Sequence, residues 1–291
     1  MLAPPSQAIG RAYHGLVSGN EQPLAGKEQY LHGHHPSVLR IHEARTVDNS
    51  ASYLAPYLKP GMTLLDVGAG PGTITIDFAR RLDPGHVIGI DPSQEVVDRA
   101  AARAATEGVT NVSFTTGNVY ELEYEDDSFD IVHAHQVLQY MADPVKALQE
   151  MRRVVKPGGI IAARDVDYGG VRWYPWVPGI EVWRDLYQKV SRLYGGEPDA
   201  GPQLKDWALR AGFETVRCTA SIWCFSDRED REWWGGAWSE RALASTFATQ
   251  ALESGLATQE ELEEISAAWL EWVDAENGVF DMPHNEILAW K

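Results

Sequence analysis

Residues 64–73 read Leu-Leu-Asp-Val-Gly-Ala-Gly-Pro-Gly-Thr, an apolar run that ends in an acidic residue and continues into a loop with glycine at every second position. Gly68, Gly70 and Gly72 can adopt backbone angles that other residues avoid, and they let a ligand approach the main chain closely. Thr73 begins a helix, whose free N–H groups attract polar ligand atoms. The stretch therefore predicts a site for a nucleotide-like cofactor.

The spacing of the glycines separates this loop from the Gly-x-Gly-x-x-Gly turn of dehydrogenases. Here the spacing is Gly-x-Gly-x-Gly, and Asp66 ends the strand, where a carboxylate suits a cationic or hydrogen-bond-donating ligand better than a pyrophosphate. On these residues the chain resembles the class I S-adenosylmethionine (SAM) methyltransferases, whose first motif is an acidic residue, x, Gly, x, Gly, x, Gly. The resemblance implies SAM as cofactor, with Gly68 and Gly70 against its methionine part and Asp66 at its amino group.

Strand-like and helix-like patterns alternate after the loop, which is typical of parallel strands joined by crossover helices. The predicted strands are 63–67, 87–90, 112–116, 129–134, 160–164 and 215–219. The resembled family adds an antiparallel seventh strand, and residues 285–290 are the best match for it. We therefore predict an α/β fold, a doubly wound, Rossmann-like sheet of seven strands with an antiparallel last strand.

Two extra segments flank or interrupt this core. The predicted divisions are an N-terminal flap and helix (1–58), a SAM-binding core (59–225), a helical lid inserted between strands six and seven (226–284) and the final strand (285–291). In the flap, residues 37–58 have the pattern of one amphipathic helix. In the lid, capping-box patterns at Ser226 and Thr258 predict helices over about 227–254 and 259–276.

Asp91 closes the second strand, where its carboxylate can accept hydrogen bonds from both ribose hydroxyls. This position matches dehydrogenases as well, so an NAD(P)-dependent oxidoreductase stays open as an alternative. After strand three, the family often has Gly-Asp-Ala on the adenine amino edge, and this chain has Gly117-Asn118-Val119. The predicted cofactor-binding residues are Asp66, Gly68, Ala69, Gly70, Gly72, Thr73, Asp91, Pro92, Asn118, Val119, His135 and Tyr30.

From residue 59 to residue 213 the order of elements is similar to that of the ubiquinone and menaquinone biosynthesis methyltransferases, including the segment 148–159. This resemblance is specific for SAM and unspecific for the acceptor, because the fold and the cofactor motif recur with many acceptors. Amino-group methyltransferases of DNA have Asn- or Asp-Pro-Pro-Tyr after strand four, where this chain has His-Ala-His-Gln at 133–136. Arsenite methyltransferases depend on several cysteines, and only Cys218 and Cys224 are present. A small organic acceptor remains.

His135 is the first candidate for a catalytic base, because imidazole titrates near neutral pH. The second is Asp165 or a histidine of the flap, such as His34 or His35. Aromatic and acidic side chains follow strand five into the expected acceptor side, a combination that suits an amine or a polar aromatic. The predicted acceptor contacts are His34, His35, Asp167, Tyr168, Trp173 and Trp234. A SAM-binding regulatory protein without catalysis is the remaining alternative.

Composition limits the other partners. The chain has 291 residues with a formal charge of −17 and no basic run, which disfavours nucleic acid. No stretch approaches the roughly 20 apolar residues of a spanning helix, and the expected location is the cytoplasm. His32, His34 and His35 lie close together in the sequence, but no metal site is predicted there.

Overall fold

The computed structural model of this chain describes residues 42–291, which form a mixed α/β sheet covered by helices. The strands are β1 (Leu64–Val67), β2 (Val87–Asp91), β3 (Val112–Thr116), β4 (Phe129–His135), β5 (Val155–Val166), β6 (Arg172–Tyr174), β7 (Thr215–Phe225) and β8 (Val279–Trp290). The expectations for Tyr30, His32, His34 and His35 lie outside the described residues.

The sheet order is β3-β2-β1-β4-β5-β8, with β6 and β7 both paired to β8. Strands β1 to β5 are parallel, and β8 runs antiparallel to β5. This confirms the predicted doubly wound α/β sheet with an antiparallel last strand. The strand order reverses between β1 and β4, and open parallel sheets bind ligands at the carboxyl ends of strands at such a point.

The sheet has eight strands rather than seven, and its last strand is twice as long as predicted. Strand β8 begins at Val279 instead of Asn285, because its first residues pair with β6 on one edge and with the end of β7 on the other. Strand β7 likewise continues to Phe225. The three-residue strand β6 was not predicted, since its pairing partner lies more than a hundred residues away.

Apolar side chains of the strands alternate between two cores, one on each face of the sheet. The helices are α1 (Val47–Ser50), α2 (Thr73–Leu82), α3 (Gln94–Thr106), α4 (Pro144–Val154), α5 (Pro178–Leu193), α6 (Ala200–Arg210), α7 (Arg228–Ala244), α8 (Thr246–Glu253) and α9 (Gln259–Asp274). Helices α4 and α6 cover the face of Leu65 and Val132, whereas α1 and α2 cover the face of Leu64 and Ile131. We call these the α4 face and the α2 face.

Helices α5, α7, α8 and α9 build a third core that is rich in tryptophan. The ring of Trp183 packs edge-on against Trp238 at 4.6 Å and against Trp269 at 4.9 Å between centroids. Most aromatic side chains of the segment 226–284 therefore pack against other aromatic side chains in this core. The single helix predicted over 227–254 is two helices, because the backbone of Ser245 is extended between α7 and α8.

The helix predicted over 37–58 is wrong in its described part. Thr46 interrupts it with an extended backbone, and a capping box with Asn49 starts the four-residue helix α1. Pro56 then sits in a single 3₁₀ turn over Ala55–Tyr57. Side chains that cap a helix end compete with continuation of a longer helix, which is why one helix becomes two short pieces.

Candidate functional site

A cavity of about 350 Å³ opens at the carboxyl ends of β1, β2 and β4. Most of the predicted cofactor residues line it, namely Asp66, Gly68, Ala69, Gly70, Thr73, Asp91, Pro92 and His135. Other lining residues were not predicted from the sequence, and among these are His42, Arg45, Arg99, Gln136, Val137, Tyr140 and Met141. The strand order explains this location, because the cavity lies beside β1 and β4, where the order of the strands reverses.

The glycine loop shapes the floor of this cavity. Gly68 and Gly70 have positive φ angles of 69° and 55°. A Cβ on Gly68 would lie 2.5 Å from Val137 Cγ2, whereas a Cβ on Gly70 would meet nothing within 4 Å. Gly68 therefore allows close packing of protein against protein, and Gly70 faces open space that a ligand can fill. Gly72 belongs to the first kind, since a Cβ there would lie 2.9 Å from Ala100 Cβ.

Asp91 joins the glycine loop to the end of β2. Its Oδ2 accepts the N–H of Gly70 at 3.2 Å, and its Oδ1 accepts the N–H of Ser93 at 3.0 Å. A carboxylate has about four acceptor positions, so two backbone donors leave capacity for ligand hydroxyls. The side chain is partly exposed and lines the cavity, which suits the predicted ribose contact.

Asp66 is buried and engaged by two side chains. Its Oδ2 accepts from Thr75 Oγ1 at 2.5 Å, and its Oδ1 is 2.7 Å from His133 Nδ1. Because an ionised carboxylate only accepts hydrogen bonds, His133 carries its proton on Nδ1 in this pair. Sequence reasoning did not find this pairing. The contact between Asp66 and a cofactor amino group stays a prediction, and it has to use the remaining acceptor positions.

Asn118 and Val119 do not line this cavity. Asn118 lines a space of about 400 Å³ at the end of β3, and its Oδ1 accepts the N–H of Tyr120 at 3.0 Å. Val119 is buried in the core of the α4 face. The side-chain carbonyl of Asn118 thus holds a turn, and adenine contacts at this position stay a prediction.

His135 ends β4 on the wall of the main cavity and is buried. Neither ring nitrogen has a hydrogen-bond partner among residues 42–291. Burial, together with the positive charges of Arg45 and Arg164, holds the pKa of His135 well below its usual range. The imidazole is therefore neutral at physiological pH.

Gln136 follows His135 with a φ of 54°, which is uncommon for a residue other than glycine. Its N–H donates to the carbonyl of Arg164 at 2.7 Å, and its side-chain Oε1 accepts from Arg45 Nη2 at 2.6 Å. Its Nε2 lies 2.8 Å from His284 Nε2, so the amide is fixed between two side chains. A left-handed residue at a strand end often marks a functional site, but the sequence carries no signal for it.

Asp165 does not line the cavity. It is buried, and its Oδ1 accepts the N–H of Gln139 at 3.3 Å, within the 3₁₀ turn Leu138–Tyr140 that carries the cavity residue Tyr140. Burial raises the pKa of the Asp165 carboxyl to about 8. The group therefore positions the cavity wall and is mostly protonated at neutral pH, which does not suit the role of base predicted for it.

The predicted acceptor contacts on the later part of the chain also lie away from the cavity lining. Asp167 accepts the N–H of Gly170 at 3.0 Å, and Tyr168 stacks on Tyr187 at 4.1 Å. The remaining two, Trp173 and Trp234, stack on Trp176 and on Phe225 respectively. These four residues were predicted because they follow β5 or lie in the insertion. In the structure their side chains pack in turns or in the tryptophan-rich core instead.

We expect the variant Asp165→Asn to remove a pH dependence of stability. The carboxyl of Asp165 has a folded pKa above its unfolded value, so its contribution to stability is present at low pH and is lost as the pH rises towards about 8. Relative to the variant, the free energy of unfolding of the parent should therefore fall by about 2 kcal/mol between pH 6 and pH 7.5. Urea unfolding at both pH values measures it. The same comparison with Asp206→Asn, at an exposed position, should show no such fall.

Within residues 42–291, no helix has the length and apolar character needed to cross a bilayer. The same part of the chain holds no group of three or more His, Cys, Asp or Glu side chains arranged to bind a metal ion.

Known proteins are similar to this chain over different lengths. A family model described as a methyltransferase domain matches residues 58–197. An uncharacterized methyltransferase of Schizosaccharomyces pombe is 35% identical over 274 residues, which is 90% of this chain and 96% of that protein. The ubiquinone/menaquinone biosynthesis C-methyltransferase of Bdellovibrio bacteriovorus is 37% identical over 134 residues, 46% of this chain and 53% of its own length.

One solved structure adds a likeness of fold. The phosphoethanolamine N-methyltransferase 2 of Haemonchus contortus, in complex with phosphomonomethylethanolamine and S-adenosylhomocysteine (SAH), matches with a TM-score of 0.51 at 20% identity. The match covers 84% of this chain and 52% of that one.

Proposed function

We propose that this chain, which belongs to the SAM-dependent methyltransferases and uses SAM as its cofactor, transfers the methyl group to a small organic molecule. The observation that carries the proposal is the buried, neutral His135 on the cavity wall beside the glycine loop. An acceptor must enter this cavity to react, and such a cavity suits a small molecule better than the surface of a macromolecule. Membership of this family also removes the NAD(P)-dependent alternative.

The residues present fit the cofactor. Gly70 leaves room over the loop, Asp91 offers acceptor positions for ribose hydroxyls, and Asp66 lies at the base of the same cavity. When bound, SAM supplies an electrophilic methyl group on a sulfonium sulfur. The protein then has to align the acceptor in line with that methyl group and exclude water, since methyl transfer is a displacement in which positioning supplies most of the rate.

His135 has the state that a general base requires. Its imidazole is neutral, lies at the cavity wall and has both nitrogens without partners among the described residues. When an acceptor hydroxyl, amine or acidic C–H group is methylated, the proton that it releases can pass to His135. Arg45 and Gln136 hold the neighbouring wall in place through their 2.6 Å hydrogen bond.

The test is transfer of labelled methyl groups from SAM to the small-molecule fraction of a cell extract. We expect a labelled product with the parent chain and a rate at least tenfold lower with His135→Ala, and saturating SAH should raise the melting temperature of both. A melting-temperature rise with no labelled product in any fraction would favour the SAM-binding regulatory protein instead.

A further inference from the structure

A row of polar side chains crosses the α2 face of the sheet beside the cavity. His135 on β4 pairs in register with Arg164 on β5, and Arg164 pairs with Glu286 on β8. Residues that are directly paired across neighbouring strands point to the same face. We call this row and its neighbours the Arg164 cluster. Its neighbours are Gln136, Ser221, Trp223 and His284, together with Tyr53, which interacts electrostatically with Arg164 and Glu286.

The centre of the Arg164 cluster is buried, and the cluster is continuous with the cavity. Arg164, His284 and Glu286 are at most 4% exposed. His135 and Gln136 belong to both the cluster and the cavity lining, and Arg45, another lining residue, lies with its guanidinium 5.5 Å from the ring centre of Trp223. A molecule that reacts beside His135 and Gln136 therefore lies next to the cluster.

The carboxylate of Glu286 is already occupied. It accepts from Thr219 Oγ1 at 2.8 Å, from Ser221 Oγ, and from Arg164 Nε at 3.4 Å. It thus holds Arg164 in place and has little capacity left for a ligand donor. An amine entering the cluster would find this negative charge engaged by three protein donors.

Two donors of the cluster, in contrast, have no hydrogen-bond partner among residues 42–291. These are Arg164 Nη1 and Tyr53 Oη, which are both buried. Burial holds the pKa of Tyr53 well above its usual range, so the phenol keeps its proton and can donate it in a hydrogen bond. Buried polar atoms without partners are costly, and a ligand that supplies the missing acceptors relieves that cost.

The two histidines of the cluster, His135 and His284, are both neutral, since burial holds the pKa of each well below its usual range. Gln136 Oε1 accepts from Arg45, so its Nε2 is the donor to His284 Nε2, and the proton of His284 lies on Nδ1. That Nδ1 donates to the carbonyl of Met282 at 3.0 Å. His284 is therefore a fixed neutral tautomer, and the charges that act most strongly on His135 are those of Arg45 and Arg164.

We propose that the Arg164 cluster binds an acidic oxygen of the methyl acceptor, a carboxylate or a phenolate, through Arg164 Nη1 and Tyr53 Oη beside His135. The inference rests on the proposed function, since it names the class of acceptor for the same cavity. It replaces the expectation of an amine, because an ammonium group would face two guanidinium groups and one carboxylate that is already hydrogen-bonded. A guanidinium N–H forms a strong, charge-assisted hydrogen bond with an oxyanion.

The test measures binding of benzoate, 4-nitrophenolate and benzylamine to the full chain, each with and without saturating SAH. The variant is the double substitution Arg164→Gln with Glu286→Gln, which removes the buried cation without leaving a buried carboxylate unpaired. Arg172→Gln is the matched control, since it removes an arginine on the same sheet that is 74% exposed. The rise of melting temperature with SAH reports that each variant is folded and binds cofactor.

We expect benzoate or 4-nitrophenolate to bind the parent and Arg172→Gln, and to bind the double variant at least tenfold more weakly, while SAH binding changes less than threefold. Whichever of the two binds more tightly identifies the oxygen as carboxylate or phenolate. Benzylamine binding as tightly as both anions, anion binding that the double variant retains, or no anion binding to the parent would each overturn the proposal. Anion binding without methyl transfer to any small molecule would support the site and contradict the proposed function.

Discussion

Asp91→Ala is expected to weaken SAH binding about 100-fold. The substitution removes the carboxylate that we propose for both ribose hydroxyls, and each hydrogen bond to a charged group contributes about 1.5–3 kcal/mol. It also frees the N–H of Gly70, which Asp91 Oδ2 holds at 3.2 Å, so the glycine loop loses a tie to β2. Isothermal titration calorimetry with SAH measures the loss directly.

The matched control for this result is Asp98→Ala. Asp98 is an exposed carboxylate on α3, only seven positions along the chain, and its side chain accepts from Gln94 instead of lining the cavity. Its substitution should change the dissociation constant less than twofold. Tight SAH binding by a folded Asp91→Ala protein would remove Asp91 from the cofactor site.

Trp183→Ala should lower the free energy of unfolding by about 3–5 kcal/mol. Trp183 is fully buried on α5, and its ring contacts Trp238 and Trp269 edge-on, so alanine leaves a cavity that three helices border. Urea unfolding followed by far-ultraviolet circular dichroism gives the change. Trp176, which is 58% exposed, provides the control, and its alanine variant should stay within about 0.5 kcal/mol of the parent.

This pair of variants also tests whether the tryptophan-rich helices form a lid or a layer with its own core. A lid that opens and closes over the cavity would tolerate loss of internal packing, whereas a layer with its own core would not. A change below about 1 kcal/mol in Trp183→Ala would contradict a packed core among α5, α7 and α9. We expect SAH binding at low temperature to persist in this variant, because Trp183 does not line the cavity.

The parts of the fold that were predictable have local signals. The glycine loop, Asp91 and the alternation of β1 to β5 with helices are recognisable within windows of ten to fifteen residues, and the structure has them at the expected places. The first half of β8 was not predictable, because its pairing with β6 and β7 depends on segments more than 50 residues away. Long-range pairing leaves little trace in a single sequence.

The Arg164 cluster escaped sequence reasoning for the same reason. Its members come from β4, β5, β7, β8 and the turn before β1, and only the sheet register places Arg164 between His135 and Glu286. Arg45 is separated in sequence from all of these strands. Asp165 and Trp234, in contrast, are near the right elements but point elsewhere, and side-chain direction is set by packing rather than by order along the chain.

The position of β8 has a consequence for synthesis of the protein. Strand β8 lies between β5 and β7 in the sheet, yet both neighbours precede it on the chain, β5 by more than 100 residues. While the ribosome is still making residues 226–278, the edges of β5 and β7 that will receive β8 have not met their partner. Unpaired strand edges invite pairing with other chains. A nascent chain stalled before residue 279 should therefore be held by chaperones or aggregate, and emergence of the twelve-residue strand β8 from the ribosome should be the step that closes the sheet.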